Sequence, residues 1–153
     1  MLNKINDTIL FEAVSQVFEE AVFALLEKSE DEISWDPDTM IASMNFKGPL
    51  SGVLYLCVPE EYSIEIAANL LGLEPDNEEL EEKKSGAIKE LLNMVVGIFI
   101  NKVYGESQAY HLGIPSMIEL SQSEFSKILS NSQAKVLCLD DFDNTFSLMA
   151  VVK

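Results

Sequence analysis

Basic residues are scarce in this chain: lysine and arginine together number 10 against 26 aspartates and glutamates, a formal net charge of −16. That balance repels phosphate backbones and anionic headgroups, which argues against nucleic-acid and membrane-surface binding; an attractive partner surface is a positive one. Long apolar runs are missing as well. The longest, Leu91 to Ile100, is ten residues broken by Asn93 and Gly97, where a spanning helix needs about 20. The opening Met1-Leu2-Asn3-Lys4-Ile5-Asn6-Asp7 lacks the basic start, apolar stretch and small-residue cleavage site of a signal peptide. The expectation is a cytoplasmic protein. Cysteine occurs twice, as Cys57 and Cys138, each inside an apolar run and without Cys-x-x-Cys spacing, so both are expected as reduced, buried thiols. The one histidine, His111, has no cysteine or carboxylate partners at ligand spacing; a structural role is expected for it and no metal site. Nucleophile motifs, phosphate-binding glycine loops and dinucleotide fingerprints are absent.

What is present is enough apolar material for a core. With 48% hydrophobic residues over 153 positions, the chain can offset the entropy of ordering, and its length fits a single domain spanning 1–153. Phe11, Val14, Val17, Phe18, Ala21, Val22, Leu25 and Leu26 recur at helical spacing and predict an amphipathic helix over Phe11 to Leu26. Met40 to Phe46 partly alternates, Lys47-Gly48-Pro49 breaks it, and Gly52 to Val58 is continuously apolar. These read as neighbouring strands, the second central and covered on both faces. Pro59 followed by Glu60-Glu61 opens a helix that stops at Gly72. Asp76 with Glu79 has capping-box spacing and predicts the start of a long helix toward Gly105, its acidic run Asp76 to Glu82 being a solvated start that suits the helix dipole.

Beyond it lie a strand-like stretch from Ala109 to Leu120 interrupted by Pro115, a short helix from Ser121 with Glu124, and strands Ala134 to Leu139 and Phe146 to Val152. Asp140 to Asn144 lacks the glycine and distal glutamate of an EF-hand loop and reads as a hairpin turn. The order of elements predicts an α+β, two-layer α/β fold in which long helices pack on a largely antiparallel sheet. A helix precedes strands in each half, which suggests a pseudo-two-fold repeat.

Counting from Glu90 at 100° per residue, Ile88, Leu91, Leu92, Val95, Val96, Phe99 and Val103 fall at about 100° to 240° around the long helix. Gly86, Asn93, Gly97 and Asn101 fall within about 60° of Glu90, opposite that stripe. Glu90 and Asn93 therefore stand side by side, facing away from the core. Gly97 costs about 0.5–1 kcal/mol in a helix interior, and close approach of another molecule is one reason to accept it.

Ser85-Gly-Ala-Ile-Lys-Glu90-Leu-Leu-Asn93-Met-Val-Val-Gly97, followed by Gly113-Ile114-Pro115-Ser116, resembles the signature of the CheC/CheX/FliY chemotaxis phosphatases, most closely the CheX-like branch. The resemblance extends to the order of elements over nearly the whole chain. It implies a phosphatase for the aspartyl phosphate of a CheY-like receiver, with Asn93 placing the attacking water and Glu90 pairing with the receiver's lysine. Gly97 would admit the receiver's loops, and Lys89 and Asn101 would flank the site. No cofactor of the chain's own is implied; Mg²⁺ is expected on the partner. A homodimer pairing sheets edge to edge through exposed final strands is also implied. Gly86 stands where the family often carries Asp or Ser, which keeps open a non-catalytic receiver-binding module of the same fold. Neither Glu12-Ala-Val-Ser15 nor Glu19-Glu-Ala-Val22 ends in Asn, so one site per chain is implied.

Overall fold

The computed structural model describes residues 6–105 and 110–153; residues 1–5 of the opening segment and Ala109 lie outside them. Chain order gives α1 (Asp7–Val22), β1 (Glu27–Lys28), β2 (Thr39–Lys47), β3 (Gly52–Pro59), α2 (Glu60–Leu71), α3 (Leu80–Tyr104), β4 (His111–Leu112), β5 (Ser116–Ile118), α4 (Gln122–Leu129), β6 (Ala134–Asp141) and β7 (Asn144–Val152). All strand pairings are antiparallel. The sheet runs β1-β6-β7-β3-β2-β4, with β5 pairing β2 further along the same edge. The α+β expectation holds, with helices packed on an antiparallel sheet.

β3 is central as expected, between β2 and β7, and nearly all of it is buried. Its first residue must be glycine on space alone, since a Cβ at Gly52 would lie 2.4 Å from the Val151 carbonyl oxygen and 2.9 Å from Phe46 Cζ. Strand alternation divides the core in two. Ala42, Leu56 and Leu148 face α1, α2 and α3 in the main cluster, while Ile41, Cys57 and Met149 face the other side and meet Phe125 of α4. Trp35 closes that smaller cluster, its indole N–H donating to the Leu120 carbonyl oxygen at 2.8 Å. The helices that open the two halves, α1 and α3, pack against each other.

Helix boundaries follow their caps. The first helix starts and ends about a turn earlier than Phe11 to Leu26. Asn6 Oδ1 accepts the Ile9 N–H at 2.9 Å, and Phe23 turns left-handed with φ 62°. The early stop leaves Leu25 exposed, correcting its place in the apolar stripe, while Leu26 remains buried. α2 follows Pro59 and ends at Gly72, φ 68°, as its sequence signals predict. At α3 the Asp76/Glu79 capping box does not form: Glu79 is the cap residue, with no side-chain cap bond. Asn77 instead accepts the Glu79 N–H at 2.8 Å, a local turn that wins over the box. The Ser121/Glu124 box of α4 does form, with both reciprocal bonds.

The closing hairpin is tighter than Asp140 to Asn144, because Asp141 and Asn144 already pair, leaving Phe142 and Asp143 in the turn. Phe142 takes φ 52° there, as a two-residue hairpin turn requires. The stretch toward Leu120 is two short strands rather than one, both paired to β2. β7 is interior, so the final strands are not both exposed edges; among the described residues β6 is the open one of the two, β1 pairing with Leu139 and Asp140 of it. Among the described residues, no helix is long and apolar enough to cross a membrane.

Candidate functional site

α3 is long because its apolar positions keep helical register against three partners, packing on α1, α2 and β2. Ile88, Leu91, Leu92, Val95, Val96 and Phe99 are all buried. Phe99 meets Phe46 of β2 edge to face, with ring centroids 6.0 Å apart. The orientation of the helix is therefore fixed by its stripe, and the opposite face is turned outward with equal certainty.

Gly86, Glu90, Asn93 and Asn101 are exposed on that outward face, and Gly97 and Lys89 are half-exposed. The structure thus brings Gly86, Glu90, Asn93, Gly97 and Asn101 onto one ridge, with Lys89 on its flank. Among the described residues, Glu90, Asn93, Lys89 and Asn101 make no side-chain hydrogen bond or ion pair within the molecule. Among the described residues, an added Cβ at Gly86 or Gly97 would have nothing within 4 Å. Packing within the chain therefore requires a glycine at neither position. The Glu90/Asn93 ridge is a carboxylate and a carboxamide held at fixed spacing on a rigid helix, with a bare surface a turn away. It can offer an acceptor to a cation and a neutral acceptor and donor to water.

Two other cations of α3, Lys84 and Lys102, are engaged near its ends. Lys84 is buried and donates to Glu60 of α2 and Glu81, bonds that hold its ammonium above the usual lysine range. Lys102 lies 3.8 Å from Glu12 of α1. Sequence reasoning passed over Lys84, whose burial depends on a carboxylate 24 residues away; only tertiary contact reveals it. His111 is exposed on β4. Among the described residues no group of three or more His, Cys, Asp or Glu could hold a metal ion.

A cleft of about 910 Å³, not anticipated from the sequence, opens elsewhere, lined by Trp35, Asp36, Asp38, Glu61, Phe125 and Cys57 among others. None of the ridge residues lines it. Burial pushes the Cys57 thiol up to about 12, against a weaker opposing hydrogen bond from Ser147, so its sulfur is an inert part of that wall.

Comparison with known proteins adds three findings. The family model described as chemotaxis phosphatase CheX matches residues 40–139, from β2 into β6 and across Glu90 and Asn93. No curated protein sequence matches the chain. Among solved structures, a CheC-like superfamily protein from Shewanella sp. PV-4 superposes with TM-score 0.74 at 16% identity, over 97% of this chain and 99% of that one. CheX in the CheX–CheY–BeF3–Mg²⁺ complex from Borrelia burgdorferi gives 0.69 at 16%, over 95% and 96%. The chemotaxis protein CheX of Desulfovibrio desulfuricans gives 0.73 at 12%, over 95% and 97%. At these identities the likeness is one of fold.

Proposed function

The chain belongs to the family of the chemotaxis phosphatase CheX, and from that premise we propose that it hydrolyses the aspartyl phosphate of a CheY-like receiver, ending a chemotaxis-type signal. The observation that carries the reading is the ridge of α3. Glu90 and Asn93 are exposed, have no partner among the described residues, and are fixed opposite a stripe that is buried from Ile88 to Phe99.

An acyl phosphate is already activated, so the catalyst's task is placement rather than covalent chemistry. In the proposed step, Asn93 accepts a hydrogen bond from a water molecule and holds it in line with the scissile P–O bond. The water oxygen forms the new bond to phosphorus as the bond to the aspartate oxygen breaks, and its proton leaves with the inorganic phosphate. A carboxamide suits this work because it orients water without adding negative charge beside the phosphoryl group. Mg²⁺ bound by the receiver supplies compensation for the developing charge. Glu90 accepts a charge-assisted hydrogen bond from the receiver's lysine and fixes the helix in register. Lys89 and Asn101 contact the partner's rim, and Gly97 admits its loops. One such domain acts per chain, in the cytoplasm, and two chains associate through the open length of β6.

Gly86 favours the second reading, a receiver-binding module without turnover, because nothing in the structure occupies the space where family members often place Asp or Ser. Decay measured with the wild-type protein and with Glu90→Ala separates the two. A phosphatase docked through Glu90 loses both affinity and maximal rate, whereas a pure binding module shows weakened docking and no accelerated decay even in the wild-type protein.

A further inference from the structure

Gly113-Ile114-Pro115, the connection between β4 and β5, has no part in the chemistry above. It runs along the outer edge of β2, where the Gly113 N–H donates to the Asn45 carbonyl oxygen at 2.8 Å. A Cβ on Gly113 would lie 3.1 Å from that oxygen, a tight contact that a larger residue could make only by moving the two backbones a few tenths of an ångström apart. Ile114 precedes a proline, which confines it to extended conformations. The outcome is an isoleucine on a pinned backbone that is 90% exposed, next to Leu112 at 43%. Single exposed apolar residues are ordinary; the placement of this one is not.

On the wheel counted from Glu90, Lys84 and Lys102 both fall at about 120°. They reach Glu60 of α2 and Glu12 of α1, so both helices flank α3 on that side. The opposite flank belongs to the β2 edge. β5 packs against α3, and Tyr104, at about 320°, meets Tyr110 at the entrance to β4 with the rings tilted by 50° and their centroids 5.2 Å apart. Lys89 and Asn93, at about 260° and 300°, lean toward that same flank. The β4–β5 turn therefore lies on the flank of α3 toward which Asn93 leans.

We propose that Ile114 is the apolar anchor of the docking surface. It seats against the receiver beside its aspartyl phosphate, while α3 meets the phosphorylation site itself. This rests on the receiver reading above and adds a residue to it. A pre-positioned side chain loses little freedom on binding, and its contribution is burial rather than charge. The contact is thus insensitive to salt, unlike one made through Glu90. Ile114 touches no reacting atom, so it governs affinity and receiver choice and leaves the maximal rate alone.

The test is titration of the full-length protein with the CheY-like receiver of its own genome, loaded with beryllofluoride and Mg²⁺ as a stable mimic of the acyl phosphate. Ile114→Asp is expected to weaken binding by roughly ten- to a hundred-fold, the loss from exposing an isoleucine-sized contact. Ile114→Ala should lie between, and the Kd ratio to wild type should stay flat with added salt. In turnover, Ile114→Ala raises KM and keeps kcat, whereas Asn93→Ala loses kcat. Equal affinity of Ile114→Asp and wild type, with circular dichroism unchanged, overturns the anchor and leaves the phosphatase reading standing if Asn93→Ala is inactive. Unchanged receiver binding with weakened self-association assigns Ile114 to a second copy of the chain and also overturns it. Failure of the wild-type protein to bind any receiver removes both proposals.

Discussion

Gly97 offers the sharpest separation of stability from function. Its helical position lies a turn beyond Asn93 on the exposed ridge, with nothing within 4 Å of the place a Cβ would take. Gly97→Ala therefore meets no clash and removes backbone entropy from the unfolded chain, a gain of about 0.5–1 kcal/mol. For a domain of this size that raises Tm by about 1–4 °C. Gly86→Ala, equally open, should gain a similar amount, and the two should add because the sites are distant. Function should move in the opposite direction at one position. A leucine at 97 projects from the same face as Asn93 and holds a docked partner away; displacement of a catalytic group by about 1 Å is enough for a hundred-fold loss. Differential scanning calorimetry beside phosphate release from an acyl-phosphorylated receiver reads both. Gly97→Leu with an unchanged rate would refute the claim that Gly97 is kept for a partner's approach, and Gly97→Ala with lowered Tm would refute the reading of its surroundings.

Three further outcomes follow from particular contacts. The Tyr62 hydroxyl, wholly buried, donates to Asp141 Oδ2 at 2.7 Å and ties α2 to the closing hairpin. Tyr62→Phe should lower stability by about 1–3 kcal/mol by leaving a buried carboxylate short of a donor, seen as a lower urea midpoint at unchanged m-value; identical midpoints would contradict it. Glu124 is held below its usual value by the Ser121 backbone N–H and then by the Ser121 side chain. Its folded value is lowered, so its contribution is present above the unfolded value and lost as pH falls through the folded one. The difference in α4 amide exchange between wild type and Glu124→Gln should therefore shrink on acidification below pH 4.5, and a difference that persists unchanged at pH 3 would count against the cap. Cys57 and Cys138 both stand opposite Ser147, on either side of it. They are thus two strand spacings apart, roughly 9–10 Å, beyond the reach of a disulfide. Non-reducing mass spectrometry should find both free, with Cys57 alkylated at pH 8 only as fast as the protein opens.

The legibility of this fold in its sequence varied by element. β2, β3 and α2 were readable because apolar patterning ended at Pro or Gly, the residues that stop such elements on steric grounds. Capping boxes show the limit of spacing as a signal. Ser121/Glu124 and Asp76/Glu79 share it, but Asn77 lies between the latter two and takes the Glu79 N–H for a turn of its own. Leu25 fits the helical stripe and is still exposed, because Phe23 leaves the helix through a left-handed conformation that no periodicity announces. β1 and β4 are two residues each, too short to carry any pattern. At the site, the outward face of α3 was legible from the wheel alone, since a seven-residue stripe fixes what lies opposite. The roles of Glu90 and Asn93 were not; those came from the resemblance. Ile114 escaped because its exposure is set by the Gly113 contact with Asn45, across strands.

Hydrolysis with Asn93 at its centre is read out by the decay of aspartyl phosphate on a Mg²⁺-loaded CheY-like receiver with no addition, with wild-type protein and with Asn93→Ala. Decay should be accelerated by the wild type and returned to the intrinsic rate by Asn93→Ala, with its fold and receiver binding retained. Equal acceleration by wild type and Asn93→Ala, or none by the wild type while the receiver still binds, would contradict it.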